Sequence, residues 1–197
     1  DPATEAKFPL PDNQTADHAI AALERLEIVF KTKGDHKPWF LAVGFHKPHL
    51  PFVASKEFFD MYPVDDISLP PNAQPPQGMP RVAWSGNGEL MAYTDQGLPN
   101  FNYSGLPGSL LPDADTLALR RAYRAAVSQT DAMVGRVMEA LKATSFMDNT
   151  VISFWGDHGW QLGEHGEWCK HTNFEFATRA PMMIRVPGLT DSGITTK

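Results

Sequence analysis

The sequence predicts an α/β fold with a mainly parallel sheet flanked by helices. Three observations predict it. Helical and strand-like segments alternate along the chain in the order helix, strand, helix, strand, loop, strand. The segment from Pro38 to Phe45 is apolar throughout, as a strand covered on both faces is, and Val151 to Trp155 is a second apolar run. Each of these two ends in a polar cluster: His46-Lys47-Pro48-His49 after the first, and Asp157-His158 after the second. In open α/β sheets ligands bind at the carboxyl edge of the strands. The two clusters, remote in sequence, are therefore expected around one small pocket.

The first helix is expected to be capped by Thr15 or Asp17 and to run to about Lys31. Ala19, Ala22, Leu23, Leu26 and Phe30 share one of its faces. Gly34-Asp35-His36 breaks the chain, and the run from Pro38 to Phe45 reads as a central strand. From Pro63 to Pro112 the chain is dense in Pro, Gly, Asn and Asp and carries no sustained period. Such a stretch predicts an irregular surface excursion that walls a binding cleft. A long helix follows, capped by Asp113 or Asp115, with Leu119, Tyr123, Val127, Thr130, Val134, Val137 and Leu141 at spacings of four and three. Strands are expected at Thr150 to Trp155 and at Pro181 to Val186.

With 197 residues, the chain has room for one domain with a substantial core. A net charge of -6 speaks against a nucleic-acid binder but leaves room for a small basic pocket. No apolar run reaches membrane-spanning length. The chain opens at Asp1-Pro2 and stops just after a strand, which predicts a fragment of a longer protein. The single cysteine, Cys169, excludes an internal disulfide. Two sequons, at Asn13 and Asn102, point to glycosylation and the secretory pathway.

The segment Gly156 to Lys170 packs an Asp, two His, two Glu and a Lys among several glycines. Asp157 can ligate a divalent cation through carboxylate oxygen and His158 through imidazole nitrogen; the alternative is a turn in which Asp157 caps the next segment. Lys170 can neutralise an anionic substrate oxygen, against the alternative of a solvated surface lysine. His46 is the candidate proton donor, with His49 an equal candidate partner. Trp160 and Trp168 suit either the wall of a sugar pocket or the core. Two further readings stand beside these: zinc capture by His158, His165 and His171, and a Cys169 thiol nucleophile activated by Lys170.

These residues, together with Leu50-Pro51-Phe52, Gly163-Glu164-His165-Gly166 and Thr178-Arg179-Ala180-Pro181 to Val186-Pro187-Gly188, resemble sulfatases of the alkaline-phosphatase-like superfamily. The resemblance spans nearly the whole chain and is weakest from about Gln74 to Pro112. It implies an alkaline-phosphatase-like sulfatase core, with residues 1–197 forming part of a catalytic domain. The nucleophile-bearing N-terminal region and a C-terminal subdomain would lie outside the chain. It implies calcium bound by Asp157 and His158, where most sulfatases have Asn at the position of His158. Lys170 would contact the sulfate, His46 the ester, and Trp160, His165 and His49 the substrate. The nucleophile would be a formylglycine made by the formylglycine-generating enzyme; Cys169 lacks the Cys-x-Pro-x-Arg setting, so this piece alone is expected to be inactive. The implied substrate is a sulfated glycosaminoglycan oligosaccharide such as heparan or dermatan sulfate. The implied location is the lysosome or the secretory pathway, or the periplasm in a bacterium. Open alternatives are a sulfatase for a different glycan, a metal-dependent phosphohydrolase or phosphodiesterase, and an inactive copy.

Overall fold

The computed structural model describes residues 10–34, 37–93 and 103–190. In chain order the elements are α1 (Pro11–Lys33), α2 (Lys56–Asp60), α3 (Gly88–Ala92), α4 (Asp113–Lys142), β1 (Ile152–Trp155), β2 (Gln161–Leu162), β3 (Trp168–Cys169), α5 (Glu175–Thr178) and β4 (Met182–Arg185). Short 3-10 turns occur at Val64–Asp66, Arg81–Ala83, Met147–Asn149 and Glu164–Gly166. None of the described helices is long and apolar enough to cross a membrane. The chain divides into two compact units: His46–Thr130 with Asp157–Ala180, and Pro9–Phe45 with Asp131–Gly156 and Pro181–Lys197. Helix α4 contributes residues to both.

In the second unit, α1 starts four residues before the expected cap. Proline at the first helical position has no N–H to satisfy and its φ already suits the helix. Thr15 therefore sits inside the helix, its hydroxyl donating back to the Pro11 carbonyl at 3.2 Å. Asp17 pairs with Arg136 on the outer surface instead of capping. Leu23, Leu141 and Phe146 form the core here, with Phe30 and Trp39 edge-on to Phe146. Asn13, the first sequon, lies in the opening turn of α1 and is half-buried. Asn102 falls outside the described residues.

The sheet differs from expectation. β1 pairs antiparallel with β4, Ile152 opposite Arg185, and β2 pairs antiparallel with β3. No parallel pair occurs among the described residues. The run from Pro38 to Phe45 is extended but joins no strand. Its side chains alternate between half-buried (Trp39, Leu41, Val43, Phe45) and exposed, Phe40 being 91% exposed. Trp155, Met182 and Met183 on the β1–β4 pair are each at least 60% exposed. The sequence is apolar enough for two covered faces, but the described residues cover at most one; composition reports what a strand can bury, not which strand pairs with it.

The first unit has a core of Leu50, Phe52, Leu90, Tyr103, Leu111, Leu119, Trp168 and Cys169. The excursion after Pro63 is largely irregular as expected, but its middle is pinned to this core. Glu167, fully buried, accepts hydrogen bonds from the Ser85 amide (3.0 Å) and hydroxyl (2.6 Å). Asn87 is also buried and bridges Tyr103, Gly166 and Trp168. A buried charge held this way is a scaffold element. Gly159 is required for close approach: its amide donates to the Ala177 carbonyl at 2.8 Å. A Cβ there would stand 2.2 Å from the Phe176 carbonyl oxygen and 2.8 Å from that of Arg179. Backbone cannot yield as a side-chain tip can. Gly159→Ala is expected to destabilise the protein by about 2 kcal/mol or more, read as a lower urea unfolding midpoint at unchanged m-value.

Candidate functional site

The loop carrying His46 and His49 is tied to the long helix. The Thr130 hydroxyl donates to the Lys47 carbonyl at 3.1 Å, and the Ser55 amide donates to Gln129 Oε1 at 2.7 Å. Lys47 folds back on its own loop, donating to the carbonyls of His49 and Pro51. Further on, the Arg121 guanidinium donates to the carbonyls of Phe59 and Tyr62, and Tyr62 Oη meets Ser128 Oγ at 2.6 Å. The second cluster is held by the same helix. Arg120 donates to the Leu162 carbonyl and to Glu164, which in turn accepts from the Leu162 amide. One helix thus positions both histidine-bearing segments.

A chain of ring contacts links the two clusters. The rings of His46 and His49 lie 5.1 Å apart, those of His49 and Trp160 5.5 Å, and those of Trp160 and His158 5.9 Å. Lys170 Nζ sits 4.6 Å from the Trp160 ring centroid and 3.0 Å from His49 Nε2. Phe52 and Tyr123 also pack on Trp160. Lys170 is therefore no solvated surface lysine; its side chain is only 13% exposed and rests on an aromatic face. His49, rather than His46, is the imidazole in direct contact with it.

Sequence reasoning missed Glu89. Its Oε1 accepts from Lys170 Nζ and lies 2.8 Å from His49 Nε2, while Oε2 lies 3.2 Å from His171 Nε2. Burial alone would raise its carboxyl pKa. The Lys170 ammonium, followed by His49 and His171, outweighs burial and holds Glu89 below the usual carboxylate range. Glu89 comes from α3, in the part of the chain with no period, and no spacing links it to Lys170. His49 Nδ1 lies 2.9 Å from the Leu50 carbonyl, which can only accept, so Nδ1 carries a proton. Its Nε2 then either donates to Glu89 or accepts from Lys170: a proton position shared by an amine, an imidazole and a carboxylate.

Also next to Trp160, His158 Nδ1 donates to the Gly159 carbonyl at 2.8 Å, so in the neutral ring Nε2 keeps its lone pair. That nitrogen lies 3.5 Å from Asp157 Oδ2, and the Asp157 side chain is 82% exposed. Adjacent ligands in a shell of radius about 2.4 Å stand about 3.4 Å apart, so the pair fits two positions around a divalent cation. It does not complete a shell: no group of three or more His, Cys, Asp or Glu able to hold a metal occurs among the described residues.

Other candidates lie elsewhere. His165 stacks on Phe174 with ring centroids 4.5 Å apart and accepts from Asn72 at 3.0 Å, partners different from those of Lys170. His158, His165 and His171 face separate partners, which removes the zinc reading. Trp168 is 2% exposed and belongs to the core. Burial pushes the Cys169 thiol up to about 12, and the Glu89 carboxylate adds to the rise. A thiol held neutral and buried is no nucleophile. Cys169 is expected to resist iodoacetamide at pH 8 and to react in denaturant, read as mass added per chain.

The sulfatase family model matches residues 2–196. Iduronate 2-sulfatase from Mus musculus is 41% identical over 181 residues, covering 92% of this chain and 31% of the relative. Iduronate 2-sulfatase from Homo sapiens is 40% identical over 183 residues, covering 93% and 32%. The chain thus spans about a third of the length of these relatives. Among solved structures, the phosphonate monoester hydrolase of Agrobacterium radiobacter is similar with a TM-score of 0.60 and 28% identity, over 89% of this chain and 33% of that one.

Proposed function

The chain belongs to the sulfatase family, and from that premise we propose that it forms part of a sulfuric ester hydrolase acting on a sulfated glycosaminoglycan end, an iduronate 2-sulfate in particular. The observation that carries the reading is the seat of Lys170: a cation against Trp160 and in contact with His49, with His158 against the same indole and Asp157 beside His158. Lys170 binds a sulfate oxygen as a point charge. Trp160 gives the sugar ring an apolar wall. His49, with His46 one ring further out, delivers a proton to the departing sugar oxygen. Asp157 and His158 contribute a carboxylate oxygen and an imidazole nitrogen to a calcium ion, which when bound supplies charge stabilisation to the sulfate oxygens.

The same premise supports a wider frame. The nucleophile, a formylglycine made by its dedicated generating enzyme, and the missing metal ligands belong to a longer polypeptide. That polypeptide also supplies a C-terminal subdomain and the parallel strands that cover the apolar faces of β1, β4 and the run from Pro38 to Phe45. The secretory route to the lysosome, or export to a periplasm, suits the sequons at Asn13 and Asn102 and the iduronate 2-sulfatase likeness.

A second reading, hydrolysis of phosphonate or phosphate monoesters, has the Agrobacterium radiobacter enzyme in its favour. The test is release of inorganic sulfate from a 2-sulfated iduronoside by the full-length protein, beside release of product from a phosphonate monoester, each with and without a chelator. Chelator-sensitive sulfate release is expected. Phosphonate turnover without sulfate release would overturn the sulfatase reading.

A further inference from the structure

We propose that Glu89 is a built-in competitor for the anion that Lys170 takes, so that its carboxylate sets how tightly the site holds sulfate. The inference rests on Lys170 being the sulfate contact, as proposed above. Lys170, His49 and His171 are all turned to this one carboxylate. Its side chain is 17% exposed and that of Lys170 13%, so water screens the pair less than on open surface. A sulfate arriving at Lys170 meets a like charge and must take over donors already given to Glu89. Such a carboxylate has a chemical use. An enzyme gains rate from interactions stronger in the transition state than in substrate or product. Lys170, His49 and His171 without a counter-charge would hold the product dianion. Glu89 offsets that attraction and keeps the Lys170 ammonium over Trp160.

The sign of the effect separates this role from a merely structural one. A carboxylate that only braced Lys170 would, on removal, leave sulfate binding equal or weaker. A competitor, on removal, leaves it tighter. Inorganic sulfate is titrated calorimetrically into the full-length protein, Glu89→Gln and Lys170→Ala. Glu89→Gln is expected to bind sulfate about ten-fold tighter, the order of removing one like charge at partly screened contact range, and to turn over more slowly. Glu89→Asp, which withdraws the carboxylate by one methylene, is expected to fall between and serves if the Gln variant does not fold. Unchanged or weaker sulfate binding in Glu89→Gln overturns the proposal, and so does undiminished binding in Lys170→Ala. A protein that binds sulfate in this pattern yet hydrolyses no sulfate ester would overturn the enzymatic reading and leave the role of Glu89 standing.

Discussion

Lys170→Ala in the full-length protein is expected to lower kcat/KM for sulfate-ester hydrolysis by about a hundred- to a thousand-fold, the range seen when one preorganised electrostatic contact is removed. The structure explains why so much rests on one side chain. Lys170 is fixed from three sides, by the Glu89 carboxylate, the His49 imidazole and the Trp160 face, so its charge needs no reorganisation when an anion arrives. The fold is expected to tolerate the change. Glu89 keeps His49 and His171 as partners, and the truncation opens no deep cavity because Lys170 is at the margin of the core. Lys170→Arg is the informative companion. A planar fork cannot occupy the same point over the indole, so charge without position is expected to restore only part of the activity. Steady-state kinetics beside thermal unfolding decide it: full activity in Lys170→Ala would remove this residue from the site.

The two ends of this site differ in how far the sequence exposed them. His46, His49, Asp157 and His158 stand directly after apolar runs; the structure puts His49 and His158 against Trp160, with His46 against His49 and the exposed Asp157 beside His158, although the run from Pro38 to Phe45 joins no strand. The long helix was legible as a helix, but it begins at Asp113, so Asp113 and Asp115 lie in its first turn and do not cap it, and it buries Ala125, Ala126, Gln129 and Met133 while Val127 is 41% exposed. Glu89 left no such trace. Its position depends on Asn87 and Ser85 being anchored by residues far along the chain, and tertiary anchoring of an aperiodic stretch has no local signature. Glu164 and Glu167 looked like site residues because of their neighbours, yet one is paired with Arg120 and the other is sealed under Ser85. Density of charge in a sequence does not say whether the charge faces a ligand or a scaffold. Pairing direction was opaque for a different reason: an apolar strand can bury either face against a parallel or an antiparallel neighbour.

The anchoring of Glu89 can itself be tested. Asn87 is 1% exposed and adopts a left-handed backbone, φ 51°. Its Nδ2 donates to Tyr103 Oη at 2.7 Å and to the Gly166 carbonyl at 3.4 Å, and its Oδ1 accepts from the Trp168 amide at 2.6 Å. Asn87→Ala would leave the Trp168 amide without that acceptor inside the core, and would place a residue with no αL preference at a positive φ. Together these are expected to cost about 3 kcal/mol of stability, measured by urea unfolding. Asn87→Gly separates the two causes: it removes the same hydrogen bonds but relieves the backbone, so it should be more stable than the Ala variant by about 1 kcal/mol. The functional consequence follows from chain geometry. Glu89 is two residues on, at the start of α3, so loosening Asn87 frees the carboxylate that Lys170 leans on. Both variants should therefore show weaker discrimination between wild-type and Gln at position 89 in sulfate binding. If Asn87→Gly binds sulfate with the wild-type dependence on residue 89, then α3 is held in place by Leu90 and the core alone, and the polar network serves only to close the interior.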